Sequence, residues 1–251
     1  MKKTALEGIT IYQAAERIQN GWLVLPLFRE QYGWNINQME KLVDSVLCNY
    51  PIGAFNFWEL SEENGSEEIT FATFPKDFVF TRKDEVIDAF HGAEQTDFPQ
   101  TDVSVLDGAW RLYAFYLALY GNVLQKTEDG ETVPCGLFVE LDHAKLDPKE
   151  LDGKKFGIAY RKKDASLSPT AFEMRRMLDS DFTNPLTRDA AFAKALEQVP
   201  KESKAYAVGV LNKVYNQLYV EKRIHFTSFS QLQEEDAREL FKRINARSIA
   251  I

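Results

Sequence analysis

Apolar residues at Ile11, Ala14, Ala15 and Ile18 recur at helical spacing after Thr10, and Asn20-Gly21 closes the pattern with residues that suit a helix C-terminus. The apolar run Trp22 to Phe28, broken by Pro26, predicts a buried strand entering a turn. Asn35 followed three residues later by Gln38 is a capping signature. Ile36, Met39, Leu42, Val43, Val46 and Leu47 then share one helical face. Asn49-Tyr50-Pro51-Ile52-Gly53 stops that helix, and Ala54 to Leu60 alternates as a strand. Ser61 to Glu68 is an acidic turn. No clear period emerges from there to Gln100, so residues 61–100 are read as an irregular insertion.

Val103 to Leu106 resumes a strand, and Trp110 to Tyr120 is apolar nearly all round, which predicts a buried helix ending at Gly121. A hairpin centred on Glu128-Asp129-Gly130 leads to strands near Leu137 to Leu141 and Lys155 to Arg161. Helical patterns follow at Ser168 to Leu178, with Pro169 at the first position, at Thr187 to Gln198 and at Ser203 to Tyr219. Ile224 to Phe229 is the last strand. Gln233 to Ile244 closes as an amphipathic helix with Ala237, Leu240, Phe241 and Ile244 on one side. Strands early and helices late make the fold class α+β, with a mixed core over residues 1–165 and a helical subdomain over residues 166–251 packed on it.

Composition narrows the function more than the fold. The 251 residues are 45% hydrophobic and 27% charged, which excludes disordered and low-complexity classes. Net charge is −8, so any nucleic acid has to meet a local positive patch, not the surface as a whole. Cys48 and Cys135 lack metal-binding or disulfide spacing and read as buried small hydrophobes. Neither a leader-like apolar segment nor an apolar run of membrane-spanning length occurs, and the expected location is the cytoplasm.

The segment Val105-Leu106-Asp107-Gly108-Ala109-Trp110-Arg111-Leu112 puts Asp and Gly at a strand-to-helix junction and an Arg just inside the helix. Free N–H groups at a helix N-terminus, a glycine permitting close approach and a guanidinium together suit an anion. The same residues also fit a plain structural role, with Asp107 as N-cap and Arg111 paired to a carboxylate.

Four short motifs occur in order: Pro26-Leu27-Phe28-Arg29-Glu30-Gln31-Tyr32-Gly33-Trp34, Tyr50-Pro51-Ile52-Gly53, Asp107-Gly108-Ala109-Trp110-Arg111 and Phe241-Lys242-Arg243-Ile244-Asn245. Together they resemble the PxFQRxYxW, YPIG, DGQQR and FxRIN patterns of the N-terminal domain of GmrSD-type modification-dependent restriction endonucleases. The resemblance implies a core similar to the ParB/sulfiredoxin fold within residues 1–165. It also implies a domain that binds and hydrolyses nucleoside triphosphate with Mg²⁺, in a protein acting on foreign DNA through a nuclease partner or domain. Carried onto this chain, the nucleotide-binding set is Tyr32, Trp34, Gly108, Arg111, Arg243 and Asn245; at the two departures Arg29 is added either as a replacement for the family arginine or as a surface partner of Glu30, and Trp110 either as a base-stacking ring or as core of its apolar helix. Asp107 and Arg111 would be the catalytic pair: Arg111 and the helix N-terminus hold phosphates, and Asp107 orients water or Mg²⁺. The chain departs from the pattern at Ala109-Trp110, where the family has Gln-Gln, and at Arg29-Glu30, where it has Gln-Arg. Losing the amides removes groups able to position water, which leaves either an NTPase or a catalytically degenerate module that binds DNA or a protein.

Other constellations carry less. His91, His143 and His225 have no ligand spacing, no metal site is expected, and GxSxG, P-loop and GxGxxG patterns are absent, as is a His-Asn-His nuclease motif. Lys154-Lys155 with Arg161-Lys162-Lys163 is the most basic stretch, read either as a solvated hairpin or as a contact to DNA backbone.

Overall fold

The computed structural model describes residues 2–3, 7–28, 33–60, 71–91, 93–96, 103–164 and 167–245. Its first half contains β1 (Lys2–Lys3), β2 (Glu7–Ile9), α1 (Ile11–Gln19), β3 (Leu23–Pro26), α2 (Ile36–Leu47), β4 (Phe55–Glu59), β5 (Phe71–Ala72), β6 (Asp77–Phe80), β7 (Gln95–Thr96), β8 (Val103–Asp107), α3 (Ala109–Leu119) and β9 (Asn122–Lys126). The second contains β10 (Thr132–Glu140), α4 (Pro148–Leu151), β11 (Ile158–Lys162), β12 (Ala171–Glu173), α5 (Ser180–Thr183), α6 (Arg188–Ala195), α7 (Lys204–Tyr215), β13 (Ile224–Ser230) and α8 (Glu234–Asn245). The class is α+β, built on two mixed sheets.

The first sheet runs β1-β13-β4-β8-β3-β5-β7, with β2 also on β13. At its centre β4 lies parallel to β13 and antiparallel to β8, with a register shift at Asn56/Phe57 just before the strand's most buried stretch. Alternation decides which face each side chain serves. Phe55, Phe57 and Val105 enter the main core with α1, α2 and α3. Trp58, Leu106 and Phe229 form a second cluster with Ala237 and Leu240 of α8. The sheet is therefore covered on both faces, and the indole N–H of Trp58 donates to the Leu232 carbonyl at 3.0 Å to pin the approach to α8.

The second sheet runs β11-β10-β9-β6, with β12 added to β10. Helix α2 joins it to the first layer through two acids on its buried face. Glu40 is 2% exposed; its Oε1 accepts from Lys83 Nζ and the Tyr160 N–H, both at 2.8 Å, and its Oε2 accepts from Lys154 Nζ at 2.5 Å. One turn on, Asp44 Oδ1 accepts the N–H groups of Lys155 and Phe156 at 2.9 and 2.8 Å. These carboxylates thus satisfy backbone donors at the entry to β11 as well as pairing a buried ammonium.

Helices α1 and α2 begin with complete capping boxes, Thr10 with Gln13 and Asn35 with Gln38, and bury the faces their periodicity predicts. Three expectations are corrected. The aperiodic segment after residue 70 is not merely an insertion: Phe78 and Phe80 of β6 are buried, and β6 pairs parallel with β9. Ser168 to Leu178 is not an α-helix, because Ala171–Glu173 pairs with β10 and a 3₁₀ segment, Met174–Leu178, follows. The later part of the chain is not simply a helical subdomain either, since β13, the strand expected at Ile224 to Phe229, lies within the first sheet between β1 and β4. The expected acidic turn at Ser61 to Glu68 lies outside the described residues. Cys135 is buried as expected, while Cys48 is only half-buried.

A separate polar knot ties the end of β10 to the start of α7. Ser203, fully buried, donates to Asp142 Oδ1 at 2.5 Å and lies 2.7 Å from His143 Nδ1. With the hydroxyl proton committed to the carboxylate, Nδ1 must donate to Oγ. The Ser203 hydrogen bond holds the Asp142 carboxyl below the usual range, helped by the Ala144 N–H.

Glu40→Ala is expected to strand the buried Lys154 ammonium and cost about 3–5 kcal/mol in urea unfolding. Lys83→Ala, at a 41% exposed side chain, should cost under about 1 kcal/mol in the same assay. A lowered folded pKa makes the Asp142 contribution complete above the unfolded value of about 3.9 and lost as pH falls through the folded one. Thermal unfolding of Asp142→Asn should therefore lose part of the wild-type decline below about pH 4. Parallel wild-type and variant profiles would assign the decline to other carboxylates.

Candidate functional site

Strand β8 hands the chain to α3 through Gly108, and the local geometry explains why a glycine stands there. Its φ is +91°, a left-handed conformation that a side chain strains, and a Cβ at this point would collide with the Phe55 ring. Gly108 is the N-cap residue and has no side chain with which to cap α3. Asp107 is thus not an N-cap. Instead, its Oδ2 accepts from Arg111 Nη2 at 3.0 Å.

Arg111 is the hub of the junction. Nη1 donates to the Ile52 carbonyl at 2.6 Å and Nη2 to the Ala54 carbonyl at 3.1 Å, while the guanidinium carbon lies 4.4 Å from the Phe55 ring centroid. Gly53 sits directly beneath Nη1, where any Cβ would clash. Three of the five guanidinium donors are committed by these bonds. Among the described residues, Nε–H and one Nη1 proton remain for a further acceptor. The side chain is 18% exposed.

The structure brings the four motifs together. Trp34 stacks on Trp110 with ring centroids 6.3 Å apart and planes at 10°, joining the first motif to the third. Arg111 joins the third to the second. Phe28 meets Phe241 edge-on at 5.8 Å, joining the first to the last, and Arg238 of α8 lies 4.7 Å from the Phe28 ring centroid. The main chain of Trp34 is held by reciprocal bonds with Ile87, and Gly33 passes so close that a Cβ would lie 2.7 Å from the Ile87 carbonyl.

Not every expected residue joins this junction. Trp110 is 9% exposed and packed on Phe90 (4.3 Å) and Tyr113 (5.8 Å) as well as Trp34, so its ring is core and presents no open face for a base. Arg243 stands on the solvent side of α8, bonded to Glu239 at 2.7 Å and 76% exposed. That bond holds the Glu239 carboxyl below its usual range. Arg29 and Tyr32 lie outside the described residues, and Asn245 is described only as the last residue of α8. Sequence reasoning missed Phe55, the platform under both Gly108 and Arg111. The signal available was its place two residues after Gly53, at the start of the alternating strand.

The chain belongs to the GmrSD restriction endonuclease N-terminal domain family, whose model matches residues 11–251 and so spans all four motifs. That places it in a restriction-related family. Comparison with curated proteins gives no match. No helix among the described residues is long and apolar enough to cross a membrane.

Gly108→Ala should destabilise the fold by about 2 kcal/mol or more, since it combines a strained φ with a ring clash. In a double-mutant cycle with Phe55→Leu, part of that cost should be recovered. A purely additive cycle would show that the backbone conformation alone carries the penalty.

Proposed function

We propose that this chain is a nucleoside-triphosphate-binding regulatory domain of a restriction or anti-phage defence protein, with the nuclease step carried out by a partner or another domain. The observation that supports this reading most is the N-terminus of α3, which begins on a glycine N-cap beneath an arginine that, among the described residues, retains two donors. Backbone N–H groups of the first turn and the positive end of the helix favour a phosphate there, and Arg111 adds a fixed cation. Family membership supports the same assignment.

Mg²⁺ enters this reading with the nucleotide. Asp107 contributes one carboxylate, already held by Arg111, and no group of three His, Cys, Asp or Glu suited to a metal occurs among the described residues. A donor set of that size fits an ion carried by phosphates more than one held by protein alone.

A second reading, a domain that binds nucleotide without hydrolysing it, is favoured by Trp110. Where the family carries an amide this chain points a large ring into the core, and Ala109 beside it has no group that orients water. Binding and turnover are therefore separable here.

Calorimetric titration of ATP, GTP, CTP and UTP, each with Mg²⁺, tests the binding. Ala109→Glu is the informative variant: a carboxylate in the first turn suits the helix dipole but repels a phosphate. Saturable binding to at least one nucleotide, weakened about tenfold or more in Ala109→Glu at unchanged melting temperature, is the expected result. Absence of binding to all four would overturn the reading. Phosphate release measured on the binding nucleotide separates the NTPase from the silent binder.

A further inference from the structure

The basic stretch Lys154 to Lys163 takes no part in the α3 junction, yet two of its cations line one cleft on the second sheet. The cleft holds about 350 Å³ and lies among α2, the turn after β6, α4 and β11. Lys83, Lys145, Lys154 and Arg161 border it, together with Asn37 and the half-buried Leu146 and Leu151. On a protein of net charge −8, a concavity lined by these four cations against the carboxylates of Glu40, Asp147 and Asp152 carries a small local excess of positive charge.

How these cations are committed decides what the cleft can accept. One buried carboxylate, Glu40, serves both Lys83 and Lys154, so the pair of lysines keeps a net positive charge and each ammonium spends one of its three protons on it. Lys145 is exposed and donates to neutral partners, Ser168 Oγ at 2.8 Å and Thr170 Oγ1 at 3.1 Å. Arg161 faces Glu140 at 3.7 Å, an ion-pair distance too long for a tight hydrogen bond. The lining also includes Asp147, which caps α4, and Asp152, which is paired to Lys41. These two surface carboxylates oppose a continuous polyanion laid across the rim but leave room for one phosphate at the four cations.

The geometry points to a second anion site: the cleft accepts a phosphate monoester of small-molecule size, its phosphate held by Lys83, Lys145, Lys154 and Arg161 and its organic body against Leu146 and Leu151. A volume of this size belongs to pockets for small ligands and exceeds what a single phosphate fills. The buried Glu40–Lys154 pair fits the same role, since joining α2 to β11 by packing alone would avoid the desolvation of two charges, whereas a fixed ammonium at the cleft floor requires it. This site is independent of the one assigned to α3.

Phenyl phosphate, inorganic phosphate and a short DNA duplex, titrated calorimetrically into the intact chain, test the assignment. Phenyl phosphate is expected to bind saturably and more tightly than inorganic phosphate, because only the ester reaches the apolar wall. Lys145→Gln and Arg161→Gln should each weaken it about tenfold, the loss of one charged hydrogen bond, with melting temperature unchanged. Ala109→Glu should leave it intact, which separates this cleft from the α3 site. No saturable binding, or binding indifferent to both cleft variants, would overturn the proposal. So would duplex binding that phenyl phosphate fails to displace, because the cleft would then be a nucleic-acid surface.

Discussion

The guanidinium of Arg111 is the fixed point around which the candidate site is arranged. The strand arriving from the Tyr50-Pro51-Ile52-Gly53 turn pairs with β8 as far as Asn56 against Asp107, and Arg111 carries that tie past the start of the strand through the Ile52 and Ala54 carbonyls. The two glycines follow from that choice. Gly53 must be bare for the guanidinium to lie over it, and Gly108 must be bare for Phe55 to lie under the helix start. A planar group with donors in a fixed fork does this where an ammonium on a flexible stem would not.

Glu40 plays the corresponding part in the second sheet, but with the opposite electrostatics. There a buried anion gathers two lysines and a strand amide, where at α3 a half-buried cation gathers two carbonyls and a carboxylate. Both hubs are stabilised by being multiply bonded, since a buried charge with a single partner returns little for its desolvation. Each also leaves protons uncommitted on a cation beside a concave or open face. The same bonding that fixes the fold therefore holds these cations in place before any ligand arrives, which would lower the ordering cost of the binding proposed at each.

Much of this was readable from the sequence wherever one local signal dominated. The helical period after Thr10, closed by Asn20-Gly21, and the capping signature at Asn35 placed α1 and α2 to within a residue, and the apolar run from Trp110 marked α3 as buried. The errors came where tertiary pairing overrode local pattern. Ala171–Glu173 reads as helical by composition, yet β10 offers an open edge there and Phe172 has a core site to fill. The strand β6 was lost among Asp, Pro and Glu residues because four residues are too few to show a period. Motif order was sufficient to assign the family, but not to predict that Arg111 would be largely committed to carbonyls, whereas the core position of Trp110 agrees with the apolar pattern of its helix. The Arg111 bonds depend on Ile52 and Ala54, which no spacing rule places beside it. Glu40 and Asp44 were visible as acids one turn apart on an apolar helix face, the signal that should have marked the second cleft.

Helix starts in this chain separate the structural from the functional part of the argument. Thr10 and Asn35 give α1 and α2 side-chain caps, and α6 and α7 start after Thr187 and Ser203, residues capable of capping even though neither does so. Helix α3 starts on a glycine that has nothing to offer, in a conformation and against a ring that exclude any replacement. Forgoing a cap costs roughly 1 kcal/mol, and a fold with this many buried aromatics around α3 can absorb it. Helices α5, α6 and α7 also begin without a side-chain cap, so what sets α3 apart is not the missing cap but an N-cap that must be glycine, standing beside a guanidinium held by two carbonyls and a carboxylate.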